Sequence, residues 1–398
     1  MTKNFLLTSI LLFCYSAIAQ NSNLLHEQVL QLSKQSGLSG FTVSILNADS
    51  VLFSGGYGYA NKEQNITYQT DHVQIVASVS KTWIGLALMQ CVEQGKISLD
   101  TKVNDVLPFE VTNPNYPNQP ITVRQLATHT SSIIYSIPAY EKIVFEERPD
   151  MELFEGREKK VVKKILKNPK LEMGDYLKDH LSANGKNYNA KNFGNYPPGE
   201  KYKYSNIAST LAAYLVEEVS GMSFADFCQK NISKPLGLKN AAFNVSNPDK
   251  PKIASQYFGK KQKLTPLYSH NFYPTGGLRI SNDDLNLFLM EIIKGYEGRG
   301  KLLTANNYTI FLGPQFHENE LPESFPKNET NHGIFWTYRD ELIGHTGGGL
   351  GTSAFMFFDK NTGIGKIFVT NCELEADKNL VPQFIQVWQT LSEYENKF

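Results

Sequence analysis

Ala77-Ser78-Val79-Ser80-Lys81-Thr82-Trp83-Ile84-Gly85-Leu86-Ala87-Leu88-Met89-Gln90-Cys91-Val92 is the stretch on which the reading of this chain turns. A serine hydroxyl is a poor nucleophile at neutral pH and needs a neighbouring base. A lysine three residues on projects the same way only if the backbone is helical. Trp83, Ile84, Leu86, Ala87, Leu88, Met89 and Val92 surround nearly the whole helix circumference with apolar groups, and Gly95 closes the run. The spacing therefore predicts a buried central helix over Thr82 to Val92. Burial disfavours the charged form of Lys81, leaving a free amine able to take the proton of Ser78.

Ser-x-x-Lys alone is a common tetrad, and two further elements give it weight. The first is Tyr204-Ser205-Asn206, preceded by Pro197-Pro198-Gly199 and followed by the apolar run Ile207 to Val219. Its tyrosine can share the proton work with Lys81. Tyr59, Tyr116 and Tyr394 head triplets of the same spacing, but they fall in a Gly-rich turn, a Pro/Asn loop and a segment near the chain end, so context selects Tyr204. The second element is His345-Thr346-Gly347-Gly348, ahead of strand-like runs Ser353 to Phe358 and Ile364 to Thr370 joined by the turn Lys360-Asn361-Thr362-Gly363. Glycine there lets backbone approach a substrate, and the N–H of Gly348 can join that of Ser78 as an oxyanion hole. A nucleotide loop is excluded, because Thr352 stands where G-x-G-x-x-G needs glycine and no Gly-Lys-Ser/Thr follows.

With these elements the chain resembles the serine β-lactamase and penicillin-binding-protein superfamily, in particular the class C β-lactamase-related branch with its esterases and D-amino-acid peptidases. The likeness extends to Gly55-Gly56-Tyr57-Gly58-Tyr59-Ala60-Asn61, Ile121-Thr122-Val123-Arg124-Gln125-Leu126-Ala127-Thr128-His129-Thr130-Ser131, Pro235-Leu236-Gly237-Leu238 and Gly276-Gly277-Leu278. It implies that Ser78 is acylated, that Lys81 is the general base, that Tyr204 and Asn206 assist proton transfer and substrate binding, and that His345 lines the opposite wall with Thr346, Gly347 and Gly348. One departure bears on substrate: His345 stands where β-lactamases and penicillin-binding proteins usually carry a lysine whose fixed charge holds a substrate carboxylate. Histidine titrates near neutrality, so it offers a conditional charge. The resemblance then favours an esterase or D-amino-acid peptidase over a dedicated β-lactamase.

Residues 1–19 carry Lys3, an apolar run Phe5 to Tyr15 and Ala17-Ile18-Ala19, the pattern of a signal peptide too short to span a membrane. The expectation is an exported protein, periplasmic or secreted, with no stable membrane insertion after cleavage. Lipid anchoring at Cys14 is disfavoured by the bulky Phe13 before it. Cys91, Cys228 and Cys372 read as inert core residues rather than a disulfide framework. With 39 basic and 39 acidic residues the net charge is zero, which gives no electrostatic drive toward nucleic acid. None of the eight histidines forms a His-Glu-x-x-His or a close pair, and no Cys-x-x-Cys occurs, so no metal and no cofactor is expected. His129 reads as a structural loop residue bonding nearby backbone.

Strand patterns at both ends, Phe41 to Leu46 and Val51 to Gly55 at one and Ser353 to Thr370 at the other, flank a middle richer in helix signals. The expected fold class is α+β, β-lactamase/transpeptidase-like: an antiparallel sheet flanked by helices with a mostly helical region inserted. The α/β part would take about 20–110 and 265–398 and the helical part about 111–264. An insertion over 140–195 carries the lysine face Lys159, Lys160, Lys163, Lys164 and Lys167, read as solvated. It leads into Tyr204 and is expected to border the pocket. The function expected is a serine hydrolase working through a Ser78 acyl-enzyme on a small-molecule or peptide ester, amide or lactam. The alternative is a β-lactam or cell-wall-peptide binding protein that acylates without efficient turnover. Oligomeric state is left open.

Overall fold

The computed structural model describes residues 20–135, 143–243, 253–317 and 319–398. The expected leader with Cys14, and residues 140–142 of the insertion, lie outside the described residues. The two ends of the chain build one eight-stranded antiparallel sheet in the order Asn331–His332, Thr337–Arg339, Leu342–Gly349, Thr352–Asp359, Gly365–Thr370, Gly40–Leu46, Val51–Asn61, Ile66–Thr67. The early strand Gly40–Leu46 is thus seated between its hairpin partner and the last strand, with Phe41 opposite Thr370.

Period-2 alternation explains how both faces are covered. Phe41, Val43, Ile45, Phe53 and Phe368 share one cluster with Leu25 and Val29 of the helix 20–35 and with Val387 and Leu391 of Leu380–Tyr394. Leu46, Ala354, Met356, Phe358 and Ile367 point the other way, into the cluster that holds Asn282–Tyr296 and the central helix. That central helix runs Lys81–Glu93, is buried from Lys81 to Cys91, and stacks Trp83 on Phe288 at 5.3 Å between ring centroids. Ser281 caps Asn282–Tyr296 by accepting the Asp284 N–H at 3.2 Å. Cys91, Cys228 and Cys372 are buried free thiols, and burial pushes the Cys91 thiol up to about 11.

Two glycine-rich segments differ from their sequence reading. Gly55 to Asn61 continues the strand rather than turning, because the chain crosses there at backbone distance: a Cβ on Gly56 would lie 2.3 Å from the Tyr68 carbonyl oxygen. His345 to Gly349 is likewise strand and not a loop before one, since it pairs residue by residue with Thr352 to Met356. In the described part of the insertion, Gly156–Ile165 buries Val162 and Ile165 and leaves Lys160, Lys163 and Lys164 exposed. Its strand Ile143–Phe145 pairs with Tyr268–His270, and Ile143, Ile165 and Tyr268 cluster with Ile75, with Leu350 packed against them. The insertion therefore touches both the strand that enters Ser78 and the turn that follows Gly349.

Candidate active site

Ser78 lies in a 3₁₀ turn, Ala77–Ser80, between the strand Val73–Ile75 and the central helix. The sequence reading put Ser78 on the helix itself; the tighter turn serves better, because side chains at i and i+3 eclipse in 3₁₀ geometry. Ala77 adopts φ +45, a left-handed conformation that a side-chain-bearing residue rarely takes. Ser80 holds that corner: its hydroxyl donates to the Ala77 carbonyl at 2.6 Å and accepts the Leu278 N–H at 3.1 Å, in full burial. Replacing Ser80 by alanine orphans both backbone groups, so stability should fall by about 1–3 kcal/mol. The urea midpoint of the variant, read against wild type at equal slope, checks this.

Lys81 is 0 % exposed, and its Nζ donates to Ser78 Oγ at 2.9 Å and to the Thr275 carbonyl at 2.8 Å. Tyr204, from the segment just ahead of the helix Asn206–Ser220, donates its hydroxyl to the same Ser78 Oγ at 3.0 Å, with Lys81 Nζ 5.1 Å from its ring centre. The Tyr204 residue keeps 39 % of its surface exposed while its hydroxyl end is enclosed, and that burial raises the phenol well above its ordinary value. At neutral pH Tyr204 is therefore protonated and can donate to Ser78, which Lys81 Nζ reaches from the other side.

On the facing side the strand Leu342–Gly349 runs along the Ser78 turn. A Cβ on Gly347 would meet the Val76 carbonyl oxygen at 2.2 Å and the Ser78 nitrogen at 3.1 Å, whereas one on Gly348 would meet nothing within 4 Å. Thr352 Oγ1 donates to the Ile75 carbonyl at 2.7 Å and ties this strand pair to the segment leading into the nucleophile. The backbone at Gly347 thus packs directly against the turn that carries Ser78, while the next position, Gly348, is open.

The expected conditional charge on His345 is corrected by the structure. His345 is 3 % exposed, its Nδ1–H donates to the Thr346 carbonyl at 2.6 Å, and burial pushes its pKa down to about 3. It is neutral across the physiological range. Thr346 is half-buried beside it. Asn206 opens its helix and is half-buried; among the described residues its side chain makes no hydrogen bond to Ser78, Lys81 or Tyr204. Thr275 was missed by sequence reasoning, since a carbonyl acceptor carries no residue signature; only the adjoining Gly276-Gly277 pointed there. A Cβ on Gly277 would lie 2.8 Å from the Tyr273 carbonyl oxygen, so this turn can fold under Lys81 only with glycine. A separate cavity of about 740 Å³, with Tyr214, Glu217 and Tyr273 in its lining, is bordered by none of Ser78, Lys81, Tyr204 or His345.

A model of the family described as Beta-lactamase matches residues 25–386. Among curated relatives, Protein flp of Staphylococcus aureus (strain MW2) is 23% identical over 363 residues, covering 89% of this chain and 64% of the relative. The chain thus spans just under two thirds of that relative's length. The D-alanyl-D-alanine-carboxypeptidase/endopeptidase AmpH of Escherichia coli (strain K12) is 24% identical over 357 residues, 87% of this chain and 83% of its own. Among solved structures, the octameric penicillin-binding protein homologue from Pyrococcus abyssi superposes with a TM-score of 0.68 at 21% identity, covering 88% of this chain and 73% of that one. The D-amino acid amidase from Ochrobactrum anthropi SV3 does so at 0.62 and 18%, covering 96% and 99%. The last two establish a shared fold.

Proposed function

The chain belongs to the Beta-lactamase family of serine hydrolases, and from that premise we propose that it hydrolyses a carboxylic ester or an amide, of the D-amino-acyl type, through an acyl-enzyme on Ser78. The observation that carries the proposal is one oxygen held by two proton-handling groups, Ser78 Oγ at 2.9 Å from Lys81 Nζ and 3.0 Å from Tyr204 OH. As a free amine, Lys81 accepts the Ser78 proton while Oγ bonds to the carbonyl carbon; the N–H groups of Ser78 and Gly348 take the oxyanion charge. Collapse expels the alcohol or amine, protonated through Tyr204, and water then cleaves the acyl-serine to release the acid. The relatives named for D-alanyl-D-alanine and D-amino acid amide chemistry support the substrate class. Export belongs to the same proposal, supported by Lys3, the apolar run to Tyr15 and Ala17-Ile18-Ala19.

Neutral His345 argues against a substrate anchored by a carboxylate at this wall. A histidine of ordinary pKa would gain charge as pH falls through about 6.5 and tighten such a substrate; with a pKa of about 3, His345 gains none. The KM of a cephalosporin should therefore stay flat from about pH 8 to about pH 5.5, and His345→Lys should lower it. A KM that drops through that interval in the wild type would contradict the neutral wall.

Intact-mass time courses with a nitrophenyl ester, a D-alanyl amide and a cephalosporin test the function directly. Expected is a transient Ser78 adduct with steady product release from the ester and the amide. A stable adduct without product would replace hydrolysis by a binding or sensing role.

A further inference from the structure

We propose that His129 is the positioning residue of Tyr204, clamping the tyrosine from both sides so that its phenol stays on Ser78 Oγ. The proposal rests on the Ser78 reading above and deepens it. His129 grips the two residues flanking Tyr204: its carbonyl accepts the Lys203 N–H at 2.8 Å, and its Nδ1 accepts the Ser205 N–H at 3.4 Å. Between these anchors the imidazole lies against the Tyr204 ring, with centroids 4.4 Å apart.

The clamp is itself immobilised. His129 is 1 % exposed, walled edge-on by Tyr202, His332 and Phe335 at 5.6–5.8 Å. Its backbone takes φ +57, a left-handed conformation costly for a residue with a side chain and sustained only where the surroundings enforce it. The Thr130 N–H to Gln125 carbonyl bond at 2.9 Å, just beyond the helix Val123–Ala127 with its Thr122/Gln125 capping box, fixes the chain on the far side. Nδ1 accepts only in the neutral imidazole, and burial among these rings keeps protonation of His129 well below the ordinary histidine range.

Such a clamp is needed because Tyr204 is otherwise poorly walled, with 39 % of its surface exposed. Unsupported, the ring can swing toward solvent and leave Ser78 with Lys81 alone. Misplacement of a reacting group by about 1 Å is enough to cost roughly 100-fold in rate.

The experiment follows Ser78 modification by a fluorophosphonate, read by intact mass, separating the limiting rate of labelling from the concentration for half-saturation. His129→Leu removes the acceptor; His129→Asn restores one, since Asn Oδ1 takes the place of Nδ1 and asparagine tolerates φ above zero. Each is made in the wild type and in a Tyr204→Phe background, with thermal unfolding followed in parallel. Expected is a roughly tenfold or greater loss of limiting rate for His129→Leu, an unchanged half-saturation concentration, recovery of most of the rate in His129→Asn, and no further loss when His129→Leu is added to Tyr204→Phe. Equal losses in both backgrounds, or losses in both His129 variants that track their melting temperatures, would overturn the clamp while leaving the Ser78 reading intact. Absence of any Ser78 adduct in the wild type would remove that reading and the clamp with it.

Discussion

Ser78→Ala is expected to abolish covalent labelling by a fluorophosphonate and to lower ester hydrolysis by about four orders of magnitude or more, with the fold unchanged. The size of the effect follows from geometry. Lys81 and Tyr204 converge on one oxygen, so removing it leaves the base and the acid with nothing to act on. The fold should survive because Ser78 is half-buried at the mouth of its turn, while the corner is held by Ser80 through Ala77 and Leu278. Persistent labelling of the alanine variant would place the nucleophile elsewhere. Unchanged hydrolysis without labelling would mean that water is activated directly.

Gly347→Ala is the second large effect, and it touches no reacting side chain. The added methyl would stand 2.2 Å from the Val76 carbonyl oxygen, backbone that cannot give way, so the strand must retreat from the Ser78 turn and carry the Gly348 amide with it. Loss of one oxyanion donor costs roughly 10²–10³ in kcat. Gly349→Ala is the control: its methyl would meet Thr352 and Ala77 side chains at 3.5 and 3.6 Å, ordinary contacts. Steady-state kinetics on a nitrophenyl ester decide it, and comparable rates for the two variants would remove Gly348 from the oxyanion site.

What could be read in advance divides along the range of the interactions. The central helix and the hairpin from Thr352 to Thr370 follow from local periodicity and turn chemistry, and each appears within a residue or two of its expected bounds. Tyr204 was distinguishable from three look-alikes by the helix signal behind it. The glycine-rich strands were not legible as strands, because glycine has weak strand preference and its presence at Gly56 and Gly347 answers to chain crossings with Tyr68 and Val76. The charge state of His345 depends on burial beside Lys81, residues far apart in sequence. Thr275 acts through a carbonyl that any residue would supply, and His129 acts through a backbone grip on Lys203 and Ser205 that only the folded chain reveals.

The sheet also dictates when the enzyme can come alive. Thr370 Oγ1 donates to the Gly40 carbonyl across 330 positions of sequence, at 2.7 Å, and the strand bearing Gly347 and Gly348 lies between Thr337–Arg339 and Thr352–Asp359, the latter next to Gly365–Thr370. Closing loops of that length is slow compared with forming a helix. During synthesis the helix with Ser78 and Lys81 can therefore form long before the strand bearing Gly347 and Gly348 arrives. On the proposed mechanism, activity would then be gained late, when the last strands close the sheet.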